Sequence, residues 1–243
     1  KAVTSGASNV ILGNYAGGAI TTGTDNVILG CYAAKNSISL CGNILIGPET
    51  GACLCNGKHN IIMGQYAGRG SSTVSSNTAE CNVALGQNAL KVIANGANNI
   101  ALGMASAECL VSGSKHVFIG LEAGRCQCSG DNNVALGCGA LTGSSTVSNN
   151  TSSGNVAIGM KAGRDMSSGA YNTFLGYYAG RCVTTGGSNI VMGTFAGSKM
   201  TTGSANIFMG VQAADDATVT GADNIAIGCY TGRDLTSGYN NVL

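Results

Sequence analysis

One short pattern of apolar and polar positions repeats along the whole chain. An asparagine is followed by three mostly apolar residues and a glycine, as in NVILG at Asn9 and again at Asn26, with His116 replacing the asparagine once. The spacing between successive motifs is 17 residues in ten of thirteen steps, 18 in one and 22 in two. A fixed period of this length predicts a solenoid in which each repeat forms one coil.

The positions of glycine within the repeat predict where each coil turns. With the asparagine as position 1, position 5 is glycine in all thirteen complete coils, position 8 is alanine in ten, and another glycine stands three residues before the asparagine in eleven of fourteen cases. Glycine adopts positive φ at no steric cost, which suits corners. The triplet at positions 2 to 4 is rich in valine and isoleucine, which favours a strand, and the frequent glycines leave no room for ordinary helices.

These features predict an all-β protein, a parallel β-solenoid of about 13 to 14 coils with a 17-residue period. We expect residues 1–243 to form a single tandem-repeat domain. Both ends of the sequence cut through a coil, so we expect this domain to be a segment of a longer fibre.

The two faces of the predicted strand are both apolar. Positions 2 and 4 share one face and position 3 occupies the other, because side chains alternate along a strand. A coil with two short strands covers only one face with its own second strand, so we expect position 3 to be left open as an oligomer interface. This predicted stripe comprises Ile11, Ile28, Leu45, Ile62, Phe118, Phe174, Val191 and Phe208.

Such a stripe would exceed the apolar patch that soluble monomers usually expose, so we predict that identical chains associate along it. A monomeric solenoid with three strands in each coil is the alternative.

The repeated coil resembles those of a known group of fibrous proteins. NVALG and NVAIG, with Ala-Gly following in many coils, are similar to the head repeats of trimeric autotransporter adhesins and to the Asn-Gly-rich repeats of phage and large-virus tail fibres. The resemblance implies a left-handed β-roll in an intertwined or side-by-side homotrimer. The 17-residue coil departs from the shorter coil of the adhesin heads.

The expected function follows from this architecture and from the resemblance. We expect a structural or adhesive fibre shaft of a viral tail or cell-surface fibre, which spaces or presents a receptor-binding tip at the virion surface or outside the cell. One alternative is an adhesin module that binds a host or prey cell-surface glycan or receptor through its own lateral surface. The other is a subunit of a self-assembling extracellular filament.

All five arginines occupy position 10 of their coils. A basic column of this kind can engage an anionic ligand such as an acidic glycan. The alternative interpretation is a charged outer corner that keeps the protein soluble, because Asp165 and Asp234 stand beside two of the arginines. The candidate column comprises Arg69, Arg125, Arg164, Arg181 and Arg233.

The eleven cysteines are an odd number, so they cannot all pair within one chain. Cys109 and Cys126 occupy position 11 of adjacent coils, and a spacing of ~4.8 Å between strands falls within the Cα range of a disulfide. They are the candidate disulfide. The plainer interpretation is that cysteine replaces alanine, serine or threonine at small half-buried positions and stays reduced.

Charge and composition argue against other classes of function. A net charge of +1, with 9% charged residues, provides no clustered field for nucleic acid. No apolar run approaches the ~20 residues of a membrane span, so we expect no membrane insertion. The only histidines are His59 and His116, and the acidic residues are scattered. We therefore expect no catalytic centre, no metal site and no cofactor, and the chain is not predicted to be an enzyme.

Overall fold

The computed structural model of the chain describes residues 6–71 and 77–243, and it confirms an all-β parallel β-solenoid with a period of about 17 residues. The described residues contain thirteen strands, and each strand has three residues at positions 2 to 4 of a coil. The chain forms two compact units, Lys1–Leu121 and Glu122–Leu243. A single domain over residues 1–243, the left-handed sense of the coil and the homotrimer stay predictions.

The first unit contains seven strands, each paired in parallel with the next. Identical coil positions lie opposite one another, so that Ile28 of the second strand is paired with Ile11 and with Leu45. A second ladder of isolated parallel bridges runs along position 16, for example between Thr24 and Cys41. The strands are β1 (Val10–Leu12), β2 (Val27–Leu29), β3 (Ile44–Ile46), β4 (Ile61–Met63), β5 (Val83–Leu85), β6 (Ile100–Leu102) and β7 (Val117–Ile119).

The second unit contains six strands with the same parallel register. Phe174 of its third strand is paired with Ala157 and with Val191. A single 3-10 turn (Val147–Asn149) lies in the longer repeat between its first two strands. The strands are β8 (Val134–Leu136), β9 (Val156–Ile158), β10 (Thr173–Leu175), β11 (Ile190–Met192), β12 (Ile207–Met209) and β13 (Ile225–Ile227).

The glycine at position 5 is required by the close approach of neighbouring coils. Gly30 has a φ of +138°, a conformation that L residues rarely adopt. A Cβ atom built on Gly30 would lie 2.5 Å from the carbonyl oxygen of Gly47, the position-5 glycine of the next coil. Both backbone conformation and space therefore exclude a side chain at this corner.

The asparagine at position 1 forms a buried ladder that links the coils. The Nδ2 group of Asn172 donates to Oδ1 of Asn155 (3.0 Å) and to the carbonyl oxygen of Gly186 (2.9 Å). Its Oδ1 accepts from the backbone N–H (3.0 Å) and from Nδ2 (2.9 Å) of Asn189. Each asparagine therefore satisfies polar groups of its own coil and of both neighbours, which explains why the repeat keeps it.

The core of each unit lies between the strands and the turn that follows them, and this overturns the interface predicted at position 3. Position-3 side chains point inward, and those of Ile28, Leu45, Ile62, Phe118, Phe174, Val191 and Phe208 are buried, while that of Ile11 is half-buried.

Small residues at positions 8 and 9 make this inward packing possible. Ala179 is buried opposite the strand, and the ring of Phe174 lies directly over Gly180, where a Cβ atom would collide with it. Larger apolar side chains at position 12, such as Val183 and Met200, complete the core. The interface prediction for position 3 is therefore wrong, because the coil's own turn covers that face.

Candidate functional site

The face of the strands that remains uncovered carries positions 2 and 4. The described side chains at these positions are exposed or half-buried in every strand, for example Ile61 at 41% and Ile190 at 40% exposure. They are all apolar except Thr173, and none is charged. We call this face the outward stripe, defined as the side chains at positions 2 and 4 of each strand.

The outward stripe is regular and large within each unit. Parallel pairing in register stacks each side chain on its counterpart in the next coil, at a spacing of ~4.8 Å. If each side chain exposes roughly 50 Å² of apolar surface, the seven strands of the first unit present about 700 Å². The largest apolar patch on a typical soluble monomer is ~300–600 Å². The stripe is therefore the natural candidate for the oligomer interface that the sequence placed on the opposite face.

In some coils an exposed apolar side chain at position 6 widens this surface. Position 6 follows the corner glycine, and Met104 and Leu121 in the first unit are exposed there. Met160 and Val211 are exposed at position 6 in the second unit. The apolar surface thus continues past the corner towards the lateral face of the coil.

On the lateral face, a tyrosine at position 7 packs against a basic residue at position 10 in four coils. The position-7 residues adopt a left-handed backbone conformation, with φ of +59° for Tyr32 and +58° for Tyr178. This turn brings the side chains at positions 7 and 10 together. The cation lies 4.7–5.9 Å from the ring centroid in the pairs Tyr32 with Lys35, Tyr66 with Arg69, Tyr178 with Arg181 and Tyr230 with Arg233.

The arginines of this face were predicted from the sequence as a candidate binding column, whereas the tyrosines were not. The signal was present, since each of these four basic residues follows a tyrosine by three positions. The contact between the two side chains depends on the left-handed backbone conformation of the position-7 residue. This conformation is uncommon for an aromatic residue.

Within the described residues, four of the five arginines pair with a carboxylate, and this separates Arg181 from the others. Hydrogen bonding to Asp165 also raises the pKa of Arg164 above its ordinary value. The paired arginines fit the interpretation of charge-balanced outer corners. The column as an anion-binding site stays a prediction. The pairs are Arg69 with Glu49, Arg125 with Glu122, Arg164 with Asp165 and Arg233 with Asp216.

Arg181 belongs to a cluster of aromatic and basic side chains in the second unit. Lys161, Tyr178 and Phe195 occupy position 7 in three successive coils. The Nζ group of Lys161 donates to the hydroxyl of Tyr178 (3.1 Å), and the rings of Tyr178 and Phe195 stack with centroids 5.3 Å apart. Tyr177 adds a third ring, whose centroid lies 4.4 Å from that of Tyr178. We call these four residues, together with Arg181, the Tyr178 platform.

The electrostatics of the Tyr178 platform are set by its two cations. The hydrogen bond from Lys161 holds the pKa of Tyr178 below its ordinary value, because it stabilises the phenolate. Desolvation raises the pKa of the neighbouring Tyr177. The guanidinium of Arg181 lies over the Tyr178 ring, 5.3 Å from its centroid. The platform therefore combines exposed aromatic surface with positive charge.

The remaining residues singled out from the sequence are the two cysteines of the candidate disulfide and the two histidines. Cys109 lies in the first unit and Cys126 in the second, and both are half-buried. Their disulfide stays a prediction. His116 is buried at the asparagine position of its coil, with its ring stacked on Phe118, whereas His59 is exposed.

Residues 6–71 and 77–243 contain no group of three histidine, cysteine or acidic side chains placed to hold a metal ion. In the same part of the chain, no helix has the length and apolar character needed to cross a membrane. Comparisons with protein families, curated proteins and solved structures gave no match to this chain.

Proposed function

We propose that the chain is a shaft segment of a homotrimeric fibre, on a viral tail or a cell surface, which spaces or presents a receptor-binding tip. The observation that carries this proposal is the outward stripe. An uncharged apolar face that runs from strand to strand in each unit is poorly suited to solvent and well suited to another protein surface.

A second copy of the same chain is the partner that fits this surface best. Its own stripe has the same spacing between coils, so that rows of side chains from two copies can interdigitate along their length. The stripe of the first unit alone, at about 700 Å², is close to the ~800 Å² that each partner buries in a standard interface. Three copies, rather than two, are implied by the resemblance to trimeric β-roll fibres.

The molecular mass in solution tests this proposal. Light scattering of the chain should give about 72 kDa, three times the chain mass of 24.1 kDa. The double variant Ile61→Lys/Ile190→Lys places a charge in the stripe of each unit and should reduce the mass to that of one chain. The far-UV circular dichroism of this variant should stay that of the parent, because both side chains point away from the core.

The matched control is Asn95→Lys/Thr202→Lys, which adds the same charges at exposed polar positions of the two units. Its mass should equal that of the parent. A parent mass of one chain, or an unchanged mass in the stripe variant, would rule out the proposed interface. Growth of the assembly beyond three chains with rising concentration would favour the self-assembling filament over the fibre shaft.

A further inference from the structure

The positive charge of the Tyr178 platform is uncompensated, unlike that of the other arginine corners. Within the described part of the chain, no carboxylate pairs with Arg181, and its Nε is one of two buried side-chain polar atoms without a hydrogen-bond partner. Among the described residues, the ammonium group of Lys161 donates a hydrogen bond to the hydroxyl of Tyr178 and forms no ion pair with a carboxylate. Asp165, the nearby acid, is held by two hydrogen bonds to Arg164. Two cations are thus available to an anion.

The aromatic part of the platform is rigid and accessible. The backbone N–H of Tyr178 donates to the carbonyl of Met160 (3.0 Å), and that of Phe195 donates to the carbonyl of Tyr177 (2.8 Å). These bonds between coils hold the backbone that carries the rings, and the stacking of Tyr178 on Phe195 and the hydrogen bond from Lys161 orient the Tyr178 ring, which lowers the entropic cost of binding. Tyr177 remains 41% exposed. Aromatic rings of this kind pack against the apolar C–H face of a sugar ring, while a guanidinium binds a carboxylate or sulfate.

We propose that the Tyr178 platform is a binding site for an acidic saccharide. The rings of Tyr177, Tyr178 and Phe195 pack against sugar rings, and Arg181 and Lys161 bind the carboxylate or sulfate groups. Single-stranded nucleic acid also uses rings and cations, but it needs an extended basic groove, and the chain has a net charge of only +1. The compact size of the platform favours a short saccharide segment.

The corresponding surface of the first unit is less suited to an anion. A cleft of about 150 Å³ there is lined by Tyr32, Lys35, Glu49 and Arg69, among other residues. The carboxylate of Glu49 lies 3.3 Å from Arg69 and neutralises it. We therefore place the site in the second unit alone. Because the platform lies within one chain, the inference goes beyond the shaft function and does not depend on the number of chains.

Calorimetric titration with a heparin tetrasaccharide tests the site, with maltotetraose as the neutral probe of equal length. The acidic probe should bind, and the neutral probe should bind at least tenfold more weakly. Arg181→Gln should lower the affinity for the acidic probe by about tenfold or more, because it removes a charge-assisted hydrogen bond. Tyr178→Ala should do the same by removing the central ring, and Tyr178→Phe should retain most of the affinity.

Arg233→Gln is the matched control. Arg233 also occupies position 10 and lies over a tyrosine ring, 5.2 Å from its centroid, but it is paired with Asp216. Its loss should change the affinity by less than about threefold, within the range of an exposed ion pair. All variants should keep the parent's circular dichroism and mass. Equal binding of both tetrasaccharides, equal effects of the two arginine variants, or binding of a thymidine oligonucleotide in preference to heparin would overturn the assignment.

Discussion

At the scale of single residues, two positions explain why the repeat is strict. The position-5 glycine combines a backbone conformation that is strained for other residues with a carbonyl oxygen in the space where a Cβ would lie. The position-1 asparagine accepts two hydrogen bonds and donates two in a buried place where water is not available to replace them. Neither requirement depends on the identity of the other side chains in the coil.

Gly30→Ala should lower the free energy of unfolding by about 3 kcal/mol, because the φ of +138° and the contact with Gly47 both oppose a methyl group. Gly18→Ala is the control, since its Cβ would meet its nearest atoms at 3.4 Å and its φ is not in the strained range. The measurement is denaturant unfolding followed by circular dichroism. Equal stabilities of the two variants would refute the steric explanation.

Asn172→Ala should lower the free energy of unfolding by about 3 kcal/mol, because it leaves the carbonyl of Gly186 and the N–H of Asn189 without a partner in the core. Asn95→Ala, at an exposed position, should change it by less than about 0.5 kcal/mol. Thermal and denaturant unfolding measure both variants. A stability loss at Asn95 as large as that at Asn172 would contradict the role given to the ladder.

At the scale of the strand, three residues separate a core face from an outward face. Phe174 is fully buried, while its neighbours Thr173 and Leu175 are half-buried and exposed. Parallel register then repeats the same assignment in every coil of a unit, so that the position facing the core is the same in each of its strands. The inward face can be identified from the turn that covers it, because alanine and glycine at positions 8 and 9 leave room for a large side chain at position 3.

Phe174→Ala should cost about 3–5 kcal/mol of unfolding free energy, because it opens a cavity that the surrounding coils cannot fill. Leu175→Ala should cost less than about 1 kcal/mol, because that side chain is 38% exposed. Both are best compared in the Ile61→Lys/Ile190→Lys background, in which the proposed association of chains should be abolished. The reverse order of the two effects would show that the strand presents its other face to the core.

The sequence was sufficient to predict the period, the position of each strand and the glycine corners, because these follow from local backbone preferences. It was not sufficient to choose the face, since positions 2, 3 and 4 are all apolar and periodicity alone does not distinguish inside from outside. The position-8 alanines were seen, but their role opposite position 3 was not. The Tyr178 platform could not be predicted from the sequence for another reason. It depends on side chains from three coils and on a left-handed residue in each turn.

At the scale of the whole molecule, the coils are interchangeable within a unit. Apart from the coil that begins at His116, each contacts its neighbours through the same strand register, the same asparagine bonds and the same glycine corner. Stability in such an array is approximately a sum over coils and over contacts between neighbours. The removal of a complete coil should therefore be tolerated, whereas the removal of part of a coil should not.

Deletion of residues 172–188 removes one coil and places Asn189 directly on Asn155, so the asparagine ladder and the strand register are restored. This variant should keep its strand spectrum, and it should lose saccharide binding together with Tyr178 and Arg181. Deletion of residues 172–179 removes about half a coil and should give an unfolded or aggregated protein, because the core and outward faces no longer match. Circular dichroism and light scattering measure both. Equal behaviour of the two deletions would contradict the coil as the unit of folding.

The asparagine ladder also has a direction, because the donors of each coil reach back to the acceptor of the coil before it. During synthesis, a newly made coil thus finds its partner already in place, 17 residues upstream. At a translation rate of ~5–20 residues per second, that is roughly one to three seconds for each coil. A solenoid built in this way can fold in step with the ribosome, because additional coils add no contacts between residues that are distant in sequence.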